Sequence, residues 1–599
     1  MKPRLLARIL PMKYRLLKPI NPQYSALEQI LTNRGIARED IDHYLHTTDD
    51  DINSPLLFGE DLLKRAAAAL VQTMSADKKC LVVVDADCDG YTSAAIILNY
   101  LYALAPQWTT NKVDYFLHNG KQHGLADCID LALEYDLIIV PDAGSNDFEQ
   151  HATLAAASIP VIILDHHEVE IPENYKNAII INNQSSNYPN KQLSGAGVTW
   201  QFCRYLDMLL QQHNADRLID LAAMGNLADM MDLSSFETKH IILKGFTDAN
   251  VKNPFIYTIA QKNSYSLGGK ITPMGAAFYI APFVNAMVRS GEDEEKQILF
   301  NSMLTYKAFT LVLSQKRGHA AGEMAKLVDE AVRIAANVKS RQTKAQEAAM
   351  STIENLIEQN NMLEHKVLLF LLPPNKIDRN IAGLVANKIM AKYQRPCCIL
   401  TSLEKNGKTH YEGSARGCNT AGVLEFKNIC EATGVVDFVA GHQGAFGLGI
   451  EEDKIPEFVA ATDAALANLS SEPIYYVDYI YDNMDVSGDD VLSIGGLEDL
   501  WGTGMPESLV AIKNINVSAG MVVVYHKKDN TLKITLPNGI SLILFKAPDD
   551  LCDMLQNDNP GYYTFDIVGK CRINEWNGLV TPQVLIEDYD VHGQSKYNF

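Results

Sequence analysis

The stretch from about Lys79 to Asp232 constrains the fold most. Apolar, strand-sized runs alternate there with helical stretches, which is typical of βαβ units and a parallel sheet. The first buried strand, Leu81 to Val84, leads directly into the acidic loop Asp85-Ala86-Asp87-Cys88-Asp89-Gly90. In open α/β sheets the ligand site lies at the carboxyl ends of the strands. The sequence therefore predicts an α/β domain with a candidate site at this loop.

Three further segments place acidic or imidazole side chains in the same domain. They are Asp142 after the strand Leu137 to Val140, Asp165-His166-His167 after the strand Val161 to Leu164, and Asp229 in the run Gly225 to Leu233. Each segment alone could be a helix cap or a solvated acid, and the first loop alone could be a calcium loop. An EF-hand is disfavoured because Ile96 stands where its last loop position carries Glu. A parallel sheet would bring the segments to one edge, and their mixed oxygen and imidazole ligands favour manganese or magnesium.

The remaining chain predicts three further parts. Strong helix formers fill the stretch from about Ala308 to Gln359, which predicts a long connecting helix or helix pair. A smaller α/β domain is then predicted from a strand, a helix and a strand at Val367 to Leu372, Asn380 to Tyr393 and Cys397 to Thr401. Short strands at 521–525, 531–536 and 540–545 predict an antiparallel β domain, with an OB-like barrel as one candidate.

These observations predict five consecutive parts. They are an N-terminal arm at 1–60, an α/β domain with the candidate site at 61–300, a connecting helix at 301–360, a smaller α/β domain at 361–470 and an OB-like domain at 471–599. The arm is basic over its first twenty residues but has no apolar core of a signal peptide, so we expect it to lie on the surface.

Composition limits the classes of partner. A net charge of −21 argues against a protein that coats DNA non-specifically, so any contact with nucleic acid is expected to be local or bridged by metal ions. The ten cysteines include no C-x-x-C pair, which favours a reducing, cytoplasmic location. No apolar run approaches the roughly 18 to 20 residues that span a bilayer, so no membrane association is expected.

The ordered set D-x-D-x-D-G, Asp142, D-H-H and Asp229 resembles the DHH phosphoesterases. The resemblance implies a parallel-sheet DHH domain and two divalent ions, Mn²⁺ or Mg²⁺, with Asp142 as the bridging ligand. The implied metal ligands are Asp87, Asp89, Asp142, His166 and Asp229, with Asp165 as a further candidate. Asp85 and His167 belong to the same motifs and are predicted catalytic residues, which either bind metal directly or support the ligands.

Several later motifs are similar to the RecJ branch of that family. They include Pro282-x-x-Asn285-Ala286-x-x-Arg289, Gly413-Ser414-Ala415-Arg416, Gly441-His442 in a glycine-rich stretch, and Gly502-x-Gly504-x-Pro506-Glu507. Here Ala440 and Gly444 depart from the usual order of that glycine-rich stretch. The resemblance implies a DHH-associated domain and a substrate-binding set of Asn285, Arg289, Ser414, Arg416, Gly441 and His442.

The resemblance implies a single-strand-specific DNA exonuclease that acts from 5′ to 3′, with single-strand-binding or other replication and repair proteins as candidate partners. Two alternatives stay open, namely a phosphodiesterase of short oligonucleotides or cyclic dinucleotides, and an inactive replication scaffold. In the favoured hypothesis the OB-like domain holds single-stranded DNA. Its candidate contacts are Tyr525, Phe545, Trp576, Lys527, Lys528 and Lys533.

Overall fold

The chain forms two compact units in the computed structural model. The described residues are 12–118, 122–316, 318, 322–419, 422–423, 425–469, 474–482, 485–526, 528–556, 562–576 and 578–595. The parallel-sheet unit comprises Arg34–Ser340 and Leu497–Glu507. The mixed-sheet unit comprises the chain up to Asn33, Arg341–Gly496 and the chain from Ser508.

The predicted N-terminal arm contains regular secondary structure from Lys13 onward. It begins with strand β1 (Lys13–Leu16) and helix α1 (Ala26–Asn33), which belong to the mixed-sheet unit. Strand β1 pairs in parallel with Ile474–Val477, and Asn33 donates a hydrogen bond of 3.0 Å to Asp478. The basic residues that precede Met12 lie outside the described residues.

The core of the parallel-sheet unit is a five-stranded sheet. Its elements in chain order are α2 (Ile41–Leu45), α3 (Glu60–Ser75), β2 (Cys80–Val84), α4 (Cys88–Leu104), α5 (Pro106–Lys112), β3 (Val113–Leu117), α6 (Ile129–Ala132), β4 (Leu137–Pro141), α7 (Phe148–Ala156), β5 (Val161–Asp165), β6 (Ile179–Asn182), α8 (Gly195–Leu210) and α9 (Ile219–Ala228). The strand order is β3-β2-β4-β5-β6, and every neighbouring pair is parallel. Strands β2, β4 and β5 are buried along their whole length, as expected for a sheet with helices on both faces. This confirms the predicted parallel α/β domain.

A helical region and a hairpin follow. The helices are α10 (Phe236–Gly245), α11 (Pro254–Lys262), α12 (Ser264–Leu267), α13 (Pro273–Tyr279), α14 (Ala281–Ser290) and α15 (Asp293–Met303). The hairpin strands are β7 (Leu311–Leu313) and β8 (Met324–Lys326), and helix α16 (Leu327–Gln359) comes next. The long helix therefore begins at Leu327, and the prediction of helix from about Ala308 is wrong. Gly318 and Gly322 have φ values of +91° and +87°, which an α-helix does not allow.

The mixed-sheet unit contains a second α/β sheet. Its elements are β9 (Leu368–Leu372), α17 (Arg379–Tyr393), β10 (Cys397–Lys405), β11 (Lys408–Arg416), α18 (Phe426–Ala432), β12 (Val436–His442), β13 (Ala445–Glu451) and α19 (Ile455–Ala465). The strand order is β12-β13-β11-β10-β9. On one face, α16 and α17 pack on β9 and β10. On the other face, α18 and α19 pack on the inner strands.

A seven-stranded sheet ends the chain. Its elements are β14 (Ile474–Val477), β15 (Tyr479–Asp482), α20 (Gly488–Gly495), β16 (Val510–Val517), β17 (Val522–Tyr525), β18 (Thr531–Thr535), β19 (Ser541–Phe545), α21 (Asp549–Gln556), β20 (Tyr562–Trp576) and β21 (Leu579–Ser595). Strand β14 pairs with β1, and the other strands form the order β15-β16-β20-β21-β19-β18-β17. The β15·β16 and β19·β21 pairs are parallel, so the sheet is mixed and not antiparallel as predicted.

Two expectations from composition can be compared with the structure. All ten cysteines lie among the described residues, buried and without a disulfide. None of the helices in the described part of the chain is both long enough and apolar enough to cross a membrane.

Candidate metal centre

The acidic loop after β2 is shaped by one glycine and one helix cap. Asp87 caps α4, because its Oδ1 accepts a hydrogen bond of 2.9 Å from the Gly90 N–H. A Cβ on Gly90 would lie 2.5 Å from Asp85 Cβ and 2.7 Å from the Asp85 carbonyl oxygen. Only glycine fits this close approach, and the tight turn directs Asp85, Asp87 and Asp89 toward the end of the sheet.

Asp142 follows β4 in a conformation that non-glycine residues rarely adopt. Its φ is +68°, and its N–H donates a hydrogen bond of 2.8 Å to the Leu164 carbonyl of the neighbouring strand. The residue is 2% exposed, and its Oδ1 accepts no hydrogen bond from the described residues. A strained backbone that presents a buried, unsatisfied carboxylate oxygen is characteristic of a functional position.

His166 lies at the centre of the acidic side chains. Its Nε2 is 3.3 Å from Asp142 Oδ1, 3.4 Å from Asp229 Oδ2 and 4.0 Å from Asp89 Oδ2. Ligand atoms that surround one ion at about 2.1 Å are separated by about 3 Å. Burial lowers the pKa of His166, which favours the neutral imidazole that metals require. The arrangement is therefore that of ligands around a cation.

The possible ligand atoms form three overlapping groups. The groups are Asp85 with Asp87 and Asp142; Asp89 with His166 and Asp229; and Asp142 with Asp165, His166 and His167. Asp142 belongs to two groups, and its role as a ligand shared between two ions stays a prediction. The structure thus brings together every side chain that the sequence predicts for the metal centre.

Electrostatics also favour bound cations. Burial, reinforced by Asp89 and Asp87, raises the pKa of Asp142 well above its usual range. Burial and the neighbouring Asp87 raise the pKa of Asp85 to about 8. Burial and the neighbouring Asp89 raise the pKa of Asp229 to about 8. Buried carboxylates at this density repel one another unless a cation neutralises them. Oxygen and imidazole ligands with unsatisfied oxygens on Asp85 and Asp142 fit manganese or magnesium.

Asp165 differs from the other carboxylates because both its oxygens are hydrogen-bonded. Oδ1 accepts from the His166 N–H at 2.7 Å and lies 2.8 Å from His167 Nδ1, while Oδ2 accepts from the Ser145 N–H at 3.1 Å. Burial alone would raise the pKa of Asp165, but the hydrogen bond with His167 holds it below its usual range. The same bond raises the pKa of His167 to about 9. Asp165 is therefore better placed to orient His167 than to bind an ion.

Asp89 is held by three groups that the sequence analysis did not identify. Its oxygens accept hydrogen bonds from the Ser194 hydroxyl at 2.8 Å, the Gly195 N–H at 2.7 Å and the Ala196 N–H at 3.1 Å. These groups lie at the N-terminus of α8, where unpaired backbone N–H groups favour a negative charge. The small-residue run Ser194-Gly195-Ala196-Gly197 before a helix was the available sequence signal.

The loop after Asp229 is held by the segment Leu497–Glu507, which belongs to the same unit despite its distance in sequence. The Leu233 N–H donates a hydrogen bond of 2.9 Å to the Thr503 carbonyl. The segment is itself fixed by Arg34, which donates from Nε to the Pro506 carbonyl at 2.8 Å. This segment therefore supports the loop that follows a predicted metal ligand.

Gly504 offers a test of that support. Its φ is +72°, and a Cβ there would overlap with the Asp232 carboxylate. We expect Gly504→Ala to shift the loop and weaken Mn²⁺ binding about tenfold, as is typical when groups that orient metal ligands are lost. Binding is measured by titration of free Mn²⁺ in electron paramagnetic resonance.

The matched control is Gly269→Ala in the same unit. Gly269 also has a positive φ, +88°, but a Cβ there meets nothing within 4 Å. Both variants place alanine at a positive φ, which costs about 1–2 kcal/mol of stability in each. Equal Mn²⁺ affinity in the two variants would contradict a role for the segment in supporting Asp229.

The predicted substrate-binding residues fall in both units. Asn285 and the exposed Arg289 lie on α14, which packs against α4 in the parallel-sheet unit. The other four lie in the second α/β sheet, where Arg416 of β11 and His442 of β12 both pair with Ala445 of the strand between them. Ser414, two residues before Arg416, and Gly441 occupy the same strands. The structure thus aligns Arg416 and His442 in one row.

Comparisons with known proteins agree with this architecture. The profile described as "DHH family, N-terminal domain" matches residues 79–226, and the "RecJ OB domain" profile matches residues 478–588. A Bacillus subtilis protein described as "Putative SPbeta prophage-derived single-strand DNA-specific exonuclease YorK" is 31% identical over 584 residues, which cover 97% of this chain and 98% of that protein.

Two further relatives carry the RecJ name. The single-stranded-DNA-specific exonuclease RecJ of Bacillus subtilis is 25% identical, over 93% of this chain and 67% of that protein. The crystal structure of RecJ from Thermus thermophilus in complex with Mn²⁺ matches with a TM-score of 0.66 at 21% identity, over 96% of this chain and 79% of that one. The chain belongs to the RecJ family of DHH proteins.

Proposed function

We propose that this chain is a metal-dependent exonuclease that hydrolyses single-stranded DNA from its 5′ end. The observation that carries the proposal is the position of His166 Nε2 within 4.0 Å of three carboxylates at the end of the parallel sheet. The relatives described as single-strand DNA-specific exonucleases supply the substrate class. The 5′ to 3′ polarity is part of the proposal.

The proposed cofactors are two divalent ions, Mn²⁺ or Mg²⁺. Crystal structures of Thermus thermophilus RecJ in complex with each ion support this choice. Asp85 or Asp87 with Asp142 would hold one ion, and Asp89, His166 and Asp229 with Asp142 would hold the other. Bound there, divalent ions supply Lewis acidity toward a scissile phosphate. The protein contributes a largely buried ligand set that is assembled in the absence of substrate.

His167 is proposed to act on the phosphate as a cation. Its hydrogen bond with Asp165 raises its pKa to about 9 in the metal-free protein, which favours the protonated imidazole. The His167 and His166 rings lie 4.5 Å apart between centroids, which places this positive charge beside the metal ligands. Asp165 orients the ring, and the proton on His167 is available to a phosphate oxygen or a leaving oxygen.

Arg289, Arg416 and His442 are proposed to recognise phosphates of the substrate. We expect Arg416→Gln to weaken binding of 5′-phosphorylated strands about tenfold more than binding of 5′-hydroxyl strands, because guanidinium groups form charge-assisted bonds with terminal phosphates. Fluorescence anisotropy with paired oligonucleotides measures both affinities. Arg379→Gln, on the same unit at the start of α17, is the control for loss of one positive charge. Equal losses on the two substrates would contradict the assignment.

The C-terminal sheet is proposed to hold single-stranded DNA. Tyr525, Thr531 and Phe545 lie side by side on neighbouring strands, and the two aromatic residues are 49% and 60% exposed. Lys533 shares their face, two residues along β18. Exposed aromatic rings beside a lysine suit stacking with bases and contact with a backbone. Lys527 and the Trp576 side chain lie outside the described residues.

Digestion of end-labelled oligonucleotides tests the function. Strands labelled at either end, of DNA or RNA and of 3 to about 40 nucleotides, are incubated with Mn²⁺, Mg²⁺ or excess chelator. We expect mononucleotide release from the 5′ end of long single-stranded DNA and no hydrolysis in chelator. Activity confined to the shortest strands would favour the phosphodiesterase hypothesis, and complete inactivity the scaffold. We also propose single-strand-binding proteins as partners, because they bind the same substrate. The proposed location is the cytoplasm, where that substrate is found.

A further inference from the structure

Part of the second α/β sheet presents an exposed face, since Phe438, Ala440 and His442 of β12 are all exposed. Helices α16 and α17 pack on this face over β9, β10 and β11, whereas β13 and β12 continue beyond them. Phe446, Leu448 and Ile450 of β13 point to the opposite, buried face. The alternate residues Ala445, Gly447 and Gly449 therefore form the floor of the open face.

Phe438 lies on this floor. It pairs with Gly449 across β12 and β13, and it is 40% exposed. A Cβ on Gly449 would overlap with the ring and lie 2.6 Å from Phe438 Cδ1, while a Cβ on Gly447 would lie 3.7 Å from Phe438 Cε2. The ring thus rests on glycine backbone, and a side chain at Gly449 would displace it. An aromatic ring in this position leaves its outer side accessible.

The same face carries the row that contains Arg416 and His442. Phe438, Ala440 and His442 alternate along β12, so their side chains share one side of the sheet. At about 3.3 Å per residue, Phe438 lies about 13 Å along the strand from His442. Between them the floor consists of Ala440 and Gly447, which pair directly and add no bulk. A flat path therefore joins the proposed phosphate-binding row to the exposed ring.

We propose that Phe438 stacks against a base of the single strand whose terminal phosphate lies at the Arg416–His442 row. The inference rests on the proposed function and names a further residue that positions the substrate. About 13 Å corresponds to at most four stacked nucleotides at a rise of about 3.4 Å, so the base belongs to one of the first four nucleotides. Stacking on an aromatic ring tolerates every base, which suits a nuclease that must accept any sequence.

The test uses abasic substitutions in 5′-phosphorylated oligonucleotides. A set of strands carries one abasic nucleotide at each of positions 1 to 6, and KM and kcat are measured for the full-length protein. For the wild type we expect KM to rise roughly tenfold when the abasic nucleotide falls at one of positions 1 to 4, with little change in kcat. For Phe438→Leu we expect a similar rise in KM on the intact strand and no additional rise at that position.

Two controls accompany this variant. Phe438→Tyr retains an aromatic ring and is expected to keep the wild-type dependence of KM on the abasic position. A purely structural role of Phe438 would not link this dependence to an aromatic ring. Phe309→Leu removes a 58% exposed ring in the parallel-sheet unit and is expected to leave the profile unchanged. If Phe438→Leu retains the abasic penalty of the wild type, the proposal is overturned.

A binding measurement separates this inference from the proposed function. 2-Aminopurine at the sensitive position reports stacking by fluorescence quenching in chelator, where no hydrolysis takes place. We expect quenching with the wild type and Phe438→Tyr and its loss with Phe438→Leu. Quenching by a wild type that fails to hydrolyse DNA would support the base contact and contradict the exonuclease. Hydrolysis with equal quenching in all variants would overturn the base contact alone.

Discussion

Replacing Asp142 by alanine is expected to abolish hydrolysis and to leave the fold intact. Asp142 groups with Asp85 and Asp87, and its Oδ1 lies 3.3 Å from His166 Nε2, so its loss weakens both proposed ion sites. If neither ion is bound tightly enough to activate the scissile phosphate, kcat should fall by at least about a thousandfold. In the absence of metal, any fall in the melting temperature of Asp142→Ala should be no larger than the strain of alanine at positive φ explains, because the variant loses a buried carboxylate with one unsatisfied oxygen.

Asp142→Asn separates charge from backbone strain in that experiment. Asparagine tolerates the left-handed region, so the φ of +68° carries little additional strain, while one anionic ligand is lost. We expect this variant also to lose activity and to bind Mn²⁺ more weakly, with a melting temperature at or above that of the metal-free wild type. If either Asp142 variant keeps more than about a tenth of wild-type kcat, Asp142 is not a shared ligand.

The second large effect is expected from Gly195→Ala. A Cβ at Gly195 would overlap with Asp142 Oδ1 and lie 2.6 Å from Asp142 Cα. The Gly195 N–H also donates to Asp89, so a shift at this position disturbs two predicted ligands at once. We expect kcat to fall at least about a hundredfold and Mn²⁺ affinity to fall with it.

Gly520→Ala is the control for the addition of one methyl group, because a Cβ there meets nothing within 4 Å. Kinetics and Mn²⁺ titration are measured on both variants after circular dichroism has confirmed folding. A Gly195→Ala protein with wild-type Mn²⁺ affinity and kcat would show that the site tolerates displacement of Asp142.

The sequence predicts the metal centre well because its ligands follow strands. Asp85, Asp142 and Asp165 come at the ends of apolar runs, and the parallel order of those runs brings them together. The support for Asp89 could not be predicted in this way. Two of its three donors are the backbone N–H groups of Gly195 and Ala196, and every residue type except proline has such a group.

Elsewhere, non-local contacts override local preference. The stretch after Ala308 contains good helix formers, yet Leu311–Leu313 pairs with Met324–Lys326. The parallel pairing of β19 with β21 joins strands that are about forty residues apart, so hairpin patterns gave no indication of it. The role of Phe438 depends on which glycines lie beneath its ring, and this follows from the register of β12 with β13.

The segment Leu497–Glu507 has a consequence for the order of events during synthesis. The loop after Asp229 gains its partner Thr503 only when residue 503 has been made, about 270 residues later. A ribosome adds about 5–20 residues per second, so more than ten seconds separate Asp229 from that partner. The nascent chain therefore carries its predicted ligands for more than about ten seconds without the Thr503 contact to their loop. Premature termination before residue 497 releases a protein that never acquires this contact.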